Sequence, residues 1–230
     1  STEALIPVLK EIYDSGIPVI TVDTYLGDGD YTKPSNYNFP LAYIGTDNFL
    51  GGQVVAGQLA LLLGGKGKVF LENTNPDVSS VMGRELGFRA GIKIFPDMEL
   101  VGVEYCLDIQ ETAAAQVNAA LLKNPDLGAV FGVNVFSAQG AYQAVVTAGL
   151  EGAVKIATWD ATETLIEALK RGEVDLILAQ MPAEMGALCV EWGVKYLTEG
   201  AEIPKKVIPG FFIFTQENVN DPEAQKYIYK

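Results

Sequence analysis

Four polar side chains each terminate an apolar run: Asp23 after PVITV, Asn134 after AVFGV, Asp160 after KIATW and Gln180 after LILA. Two carboxylates and two carboxamides are hydrogen-bonding groups, and none is a nucleophile. Their chemistry is recognition of hydroxyls rather than bond breaking. Each run is continuously hydrophobic instead of alternating, the pattern of a parallel strand buried on both faces. Helical patterns separate the runs, so the chain alternates strand and helix. Open α/β sheets bind ligands at the carboxyl ends of their strands. That rule predicts one polar pocket holding Asp23, Asn134, Asp160 and Gln180.

Each of these residues also has a plainer role open to it. Asp23 can cap the turn that follows its strand, and Asn134 can close an Asx-turn. Asp160 can be the N-cap of the next helix, since Asp is a strong cap residue. Gln180 precedes Met181-Pro182, where the chain changes direction, and can satisfy backbone there. Aromatic rings can give a polar pocket an apolar wall. Phe136, just past a strand end, is therefore a candidate pocket wall. Trp159 points to the opposite face from Asp160 and reads as core.

Composition removes several function classes. The 230 residues have a net charge of -13 and no histidine. The acidic balance argues against nucleic acid as a partner, because phosphate binding needs clustered Lys and Arg. Without histidine there is no Ser-His-Asp or Cys-His site, and the commonest metal ligand is missing. GGKGK lacks the spacing of a phosphate loop and reads as a turn. Asp28 and Asp30 sit in a loop with no closing glutamate, so calcium is not expected. Neither an enzyme nor a cofactor is predicted. Cys106 and Cys189 are too few for a disulfide scaffold and read as two buried free thiols. No apolar run reaches the ~18 residues of a membrane span, and no signal peptide is visible.

The pattern predicts helix 2–14, strand 17–23, a long polar loop 24–40, and a short strand near 41–46. Asp47 is a predicted N-cap for helix 48–63. Strand 68–72, helix 79–95, strand 100–106, helix 109–123, strand 128–133 and helix 136–149 follow. Strand 154–159, helix 162–171, strand 174–179, helix 183–199 and strand 206–214 complete the series. A helix running straight into a buried strand needs a sheet that already exists. The expectation is that preceding elements of the same protein are missing from this sequence.

The segments TDN-x-x-GG, NPD, WDAT and AQ-x-P occur in that order, together with EALIPVLKEIYDSGIPVITVDT and RELGFRAGI. In this order the chain resembles the periplasmic sugar-binding proteins of the ribose/galactose type, which serve ABC transporters. The resemblance runs from Ser1 to about Val219. It implies an α/β, two-lobed type I periplasmic-binding-protein fold, with parallel sheets flanked by helices and the first lobe incomplete. By resemblance, residues 1–46 and 181–207 form the partial first lobe, and residues 47–180 and 210–230 the second. Hinge crossovers fall near 46–47, 180–182 and 207–210. The family's pocket residues map onto Asp23, Asn134, Asp160 and Gln180, the same four that strand ends select.

The resemblance also implies capture of a sugar or polyol between the lobes, delivery to an ABC permease, and a periplasmic or extracellular membrane-associated location. Three positions depart from the ribose-type pattern. Thr24 stands where relatives often have Arg, Val135 where they often have Asp, and Met82 where a pocket Arg lies. Arg84 is about 200° further round a helix and is not expected to replace it. Leu107 and Asp108 align near an aromatic position of relatives. These departures imply a ligand other than ribose. The effector core of a lactose-repressor-type regulator shares the fold and is the competing reading.

Overall fold

A computed structural model describes residues 2–229. The chain divides into two compact units. The smaller contains the chain up to Asp47, Asp77–Ser80 and Met181–Gly210; the larger contains Asn48–Pro76, Val81–Gln180 and the chain from Phe211.

The larger unit is built on a six-stranded sheet. Its strands are β3 (Lys66–Asn73), β4 (Asp97–Tyr105), β5 (Leu127–Gly132), β6 (Lys155–Trp159), β7 (Leu176–Ala179) and β9 (Phe212–Phe214), in the order β4-β3-β5-β6-β7-β9. All neighbours are parallel except β7 and β9. Three of the four apolar runs are its central strands, where Val130, Phe131, Ile156, Ala157, Ile177 and Leu178 are buried; the fourth, PVITV, instead forms a short edge strand of the smaller unit, with Val22 exposed. Burying each large side chain contributes about 1.5–3 kcal/mol. Successive strands step one way from β3 to β4 and the other way to β5, so the sheet has its switch point beside β3.

Helices α3 (Ser79–Ile92), α4 (Gln110–Lys123), α5 (Val135–Thr147) and α6 (Glu163–Arg171) carry the crossovers between its parallel strands, and α2 (Asn48–Leu62) leads into β3. Helices α2 and α3 meet backbone to backbone. A Cβ at Gly87 would run into the Phe49 carbonyl, and one at Gly52 into the Arg84 carbonyl. The close approach therefore requires glycine at both positions.

The smaller unit has a three-stranded parallel sheet, β1 (Ile20–Val22), β2 (Ala42–Ile44) and β8 (Lys206–Val207), in the order β1-β2-β8. Helix α7 (Pro182–Glu199) packs on β1 and β2. Helix α1 (Ile6–Asp14) buries no residue fully; Ile6 and Leu9 pack against the cluster of Val19, Leu26, Tyr31, Phe39 and Tyr43, while Leu5 and Val8 are exposed.

Several predicted boundaries move, each for a local reason. Helix 2–14 begins only at Ile6, because Pro7 is accommodated in a first turn and not further in. Strand 17–23 shrinks to Ile20–Val22, bounded by Pro18 and by Asp23, whose φ is 61°. Strand 206–214 breaks into β8 and β9, since Pro209 has no N–H for a ladder. Within GGKGK the strand already starts at Lys66. Cys106 is a buried free thiol, but Cys189 is only half-buried.

Candidate functional site: the strand ends of the larger unit

Asn134 follows β5 and N-caps α5. Its Oδ1 accepts from the Ser137 backbone N–H at 3.1 Å and from Ser137 Oγ at 2.9 Å. That fixes the amide so that Nδ2 points away from the helix. Nδ2 donates to Asp108 Oδ1 at 2.7 Å, across the end of β3.

Asp160 follows β6 with φ 73°. It does not cap the next helix: Thr162 is the N-cap of α6, its Oγ1 accepting from the Leu165 N–H. Instead Asp160 Oδ1 accepts from Gln180 Nε2 at 2.9 Å and from Tyr229 Oη at 3.4 Å. The Gln180 backbone N–H donates to Tyr229 Oη at 2.7 Å. Burial, then the Asp160 charge, pushes the Tyr229 phenol up, so it stays a donor. The two carboxylates are therefore held alike. In each, one oxygen takes a carboxamide N–H from another strand end, and the second has no partner among the described residues.

Arg84 lies under this edge of the sheet, 3% exposed. Its Nε donates to Asn48 Oδ1 at 3.1 Å and its Nη1 to the Val133 carbonyl at 2.7 Å. The guanidinium stacks 4.3 Å from the centre of the fully buried Trp159 ring. A buried cation stacked and hydrogen-bonded in this way pins the ends of β5 and β6. The strand-end pattern does not select Arg84, Asp108 or Tyr229, none of which ends an apolar run. The sequence signal for Arg84 is faint, since α3 also carries Glu85 and Arg89.

The other expected residues are placed as follows. Asp23 closes a γ-turn at the end of β1 in the smaller unit: Thr24 N–H donates to the Val22 carbonyl at 2.6 Å, with φ 61° at Asp23. Its carbonyl accepts from Tyr43 Oη at 3.0 Å. Thr24 is exposed. Met82 in α3 is half-buried, and Phe136 in the first turn of α5 is 45% exposed. The larger unit thus brings Asn134 to Asp108 and Asp160 to Gln180, while Asp23 and Thr24 belong to the smaller unit. A groove of about 540 Å³ beside Tyr142 and Leu165 includes none of these residues. Among the described residues no group of three or more His, Cys, Asp or Glu could hold a metal.

One more acid lies nearby and does not reach the strand ends. Glu72 in β3 is fully buried, and neither carboxylate oxygen has a hydrogen-bond partner among the described residues. Burial, with Glu104 beside it, pushes its carboxyl up to about 8; the neighbouring Cys106 thiol opposes this weakly. The Cys106 thiol is itself raised, by burial and by Glu72.

A family model described as a periplasmic binding protein domain matches residues 1–202. The chain belongs to that family. Among curated members it is 28% identical over 196 residues to a D-ribose/D-allose-binding protein of Pseudomonas aeruginosa, covering 85% of this chain and 60% of that protein. It is 28% identical over 210 residues to a ribose import binding protein of Salmonella typhimurium, covering 91% of this chain and 63% of that one. The chain thus spans less than two thirds of either relative. Solved members agree in fold. An ABC transporter solute binding protein from Agrobacterium vitis, bound with alpha-D-tagatopyranose, is 40% identical with a TM-score of 0.96, covering 100% of this chain and 77% of that one. One from Actinobacillus succinogenes with bound D-allose is 27% identical with a TM-score of 0.86, covering 96% and 77%. The larger unit's sheet, parallel but for β9, with its covering helices is the architecture of this family. No helix among the described residues is long and apolar enough to cross a membrane.

Proposed function

We propose that this protein is an extracytoplasmic solute-binding protein that captures a sugar or related polyol and delivers it to an ABC permease. The observation that carries the reading is the pair of half-occupied carboxylates, Asp108 and Asp160, at the carboxyl ends of one sheet. Charged acceptors with one open oxygen suit sugar hydroxyls, which donate strongly to them. Asn134 and Gln180 supply carboxamide N–H groups beside them, and Phe136 offers an apolar face. Asp23 and Thr24 are proposed as further contacts from their strand end, and Met82 as a contact from α3. None of these groups is a nucleophile, so the proposed role is binding without catalysis and without a cofactor. A periplasmic or extracellular membrane-associated location follows from the transport role.

The proposed ligand is a hexose rather than ribose. Thr24, Val135 and Met82 remove charged groups that ribose-type pockets use. A relative 40% identical was solved with alpha-D-tagatopyranose. A thermal-shift screen of the full-length protein against pentoses, hexoses, deoxy sugars and inositols tests both levels. A hexose or related polyol should give the largest rise. No shift with any of them would overturn sugar binding, whereas a largest shift with ribose would overturn only the choice of hexose.

A further inference from the structure

The loop after β4 is built at a conformational cost. Leu107 and Asp108 are consecutive non-glycine residues with φ of 52° and 60°. Such residues are strained and persist only where surrounding structure holds them. Here the backbone is pinned to the end of β3: Cys106 N–H donates to the Asn73 carbonyl at 2.9 Å and Leu107 N–H to the Thr74 carbonyl at 2.8 Å. An Asp just ahead of a helix usually serves as its cap. Asp108 does not, because the N-cap of α4 is Ile109 and no side chain caps it. The carboxylate instead takes the Asn134 N–H, leaves its second oxygen without a partner among the described residues, and sits on an exposed residue. The neighbouring Asn73 cannot play this part. Its buried amide is consumed by Glu85 at 2.7 Å and by the Thr74 N–H at 2.7 Å.

We infer that Asp108 is a specificity-determining residue: its open oxygen accepts a hydrogen bond from one ligand hydroxyl, while its other oxygen sets the direction of the Asn134 amide. The Asn134 Oδ1 is saturated by Ser137, so the pair offers one acceptor and one donor side by side. That combination fits a hydroxyl on a sugar ring whose neighbour can accept. A ligand lacking the hydroxyl leaves a desolvated carboxylate oxygen unpaired, which is the strong form of discrimination.

This inference rests on the proposed sugar binding, and the experiment separates the two. Affinities of the full-length wild type and of Asp108→Ala are measured by calorimetry for the best-binding sugar and its set of single-deoxy analogues. The expected result is a loss of about tenfold or more for the parent sugar on Asp108→Ala, the scale of a hydrogen bond to a charged group. One deoxy analogue should bind the variant as well as the parent sugar does, while wild type discriminates against it. A uniform loss across all analogues would make Asp108 merely structural and overturn the inference, as would unchanged affinities. A wild type that binds no sugar overturns the proposed function, and this inference with it.

Discussion

Gln180 donates from Nε2 to Asp160 Oδ1 at 2.9 Å, joining the ends of the paired strands β7 and β6. The contact holds the Asp160 carboxylate while its φ of 73° directs the residue out of the strand. Removing the carboxylate should therefore remove the proposed ligand acceptor together with its contact to Gln180. Asp160→Ala is expected to lower ligand affinity by about 1.5–3 kcal/mol. The double variant with Gln180→Ala should fall short of the sum of the single losses, by roughly 0.5 kcal/mol or more, because the two side chains act as one unit. Calorimetry on the four proteins decides it; additive losses would show that the pair does not act together.

The buried acid Glu72 predicts an unusual pH profile. Its folded pKa is raised from 4.5 to about 8. Between those values the folded state holds a proton that the unfolded state has released. Its contribution is thus fully present at low pH and is lost as pH rises through the folded pKa. Wild-type stability should fall by up to about 1.4 kcal/mol per pH unit between roughly pH 4.5 and pH 8 from this group alone. Glu72→Gln, which has no proton to lose, should show a flatter curve. Urea midpoints across that range check this, and parallel curves for the two proteins would refute it.

Much of the larger unit was legible because its strands are apolar runs of the right length. Val130–Phe131, Ile156–Ala157 and Ile177–Leu178 announce buried parallel strands with no help from tertiary contacts. The polar residue that ends each run was legible for the same reason. What pairs with it was not. Asp108 reaches Asn134 only because two residues after β4 adopt positive φ, and no residue type there demands it. Tyr229 meets Asp160 across 69 positions of sequence, and Arg84 meets Val133 across 49. Contacts of that range are set by how distant segments pack, which the strand pattern does not encode.

That packing can be tested at two glycines. Gly83, Gly87 and Gly91 recur every fourth residue along α3, facing α2, and the Phe49 carbonyl occupies the space a Gly87 side chain would need. Gly87→Ala should destabilise the protein by roughly 1–3 kcal/mol, the usual cost of overpacking. Gly57 in α2 has nothing within 4 Å of its would-be Cβ. Gly57→Ala should instead stabilise by up to about 1 kcal/mol through helix propensity. Thermal or urea unfolding of both variants is the measurement. Equal effects at the two sites would contradict the close contact of α2 and α3.

The two units should also differ in how readily they open. In the larger unit β5 and β6 lie inside the sheet, with Phe131 and Ile156 at most 1% exposed. In the smaller unit β1 is a three-residue edge strand that ends in the γ-turn at Asp23. Helix α1 has no fully buried residue, and α7 buries only Met185 while Val190, Val194 and Leu197 stay exposed. Local opening free energy follows buried apolar contact. In residues 1–230 expressed alone, amides of α1 and β1 should exchange fast, at a small fraction of the global stability of about 5–15 kcal/mol. Amides of β5 and β6 should exchange near the global limit. Hydrogen exchange read by mass spectrometry resolves the segments. Protection of Ile20–Val22 equal to that of Leu127–Gly132 would mean that edge position and exposure do not set the stability of β1.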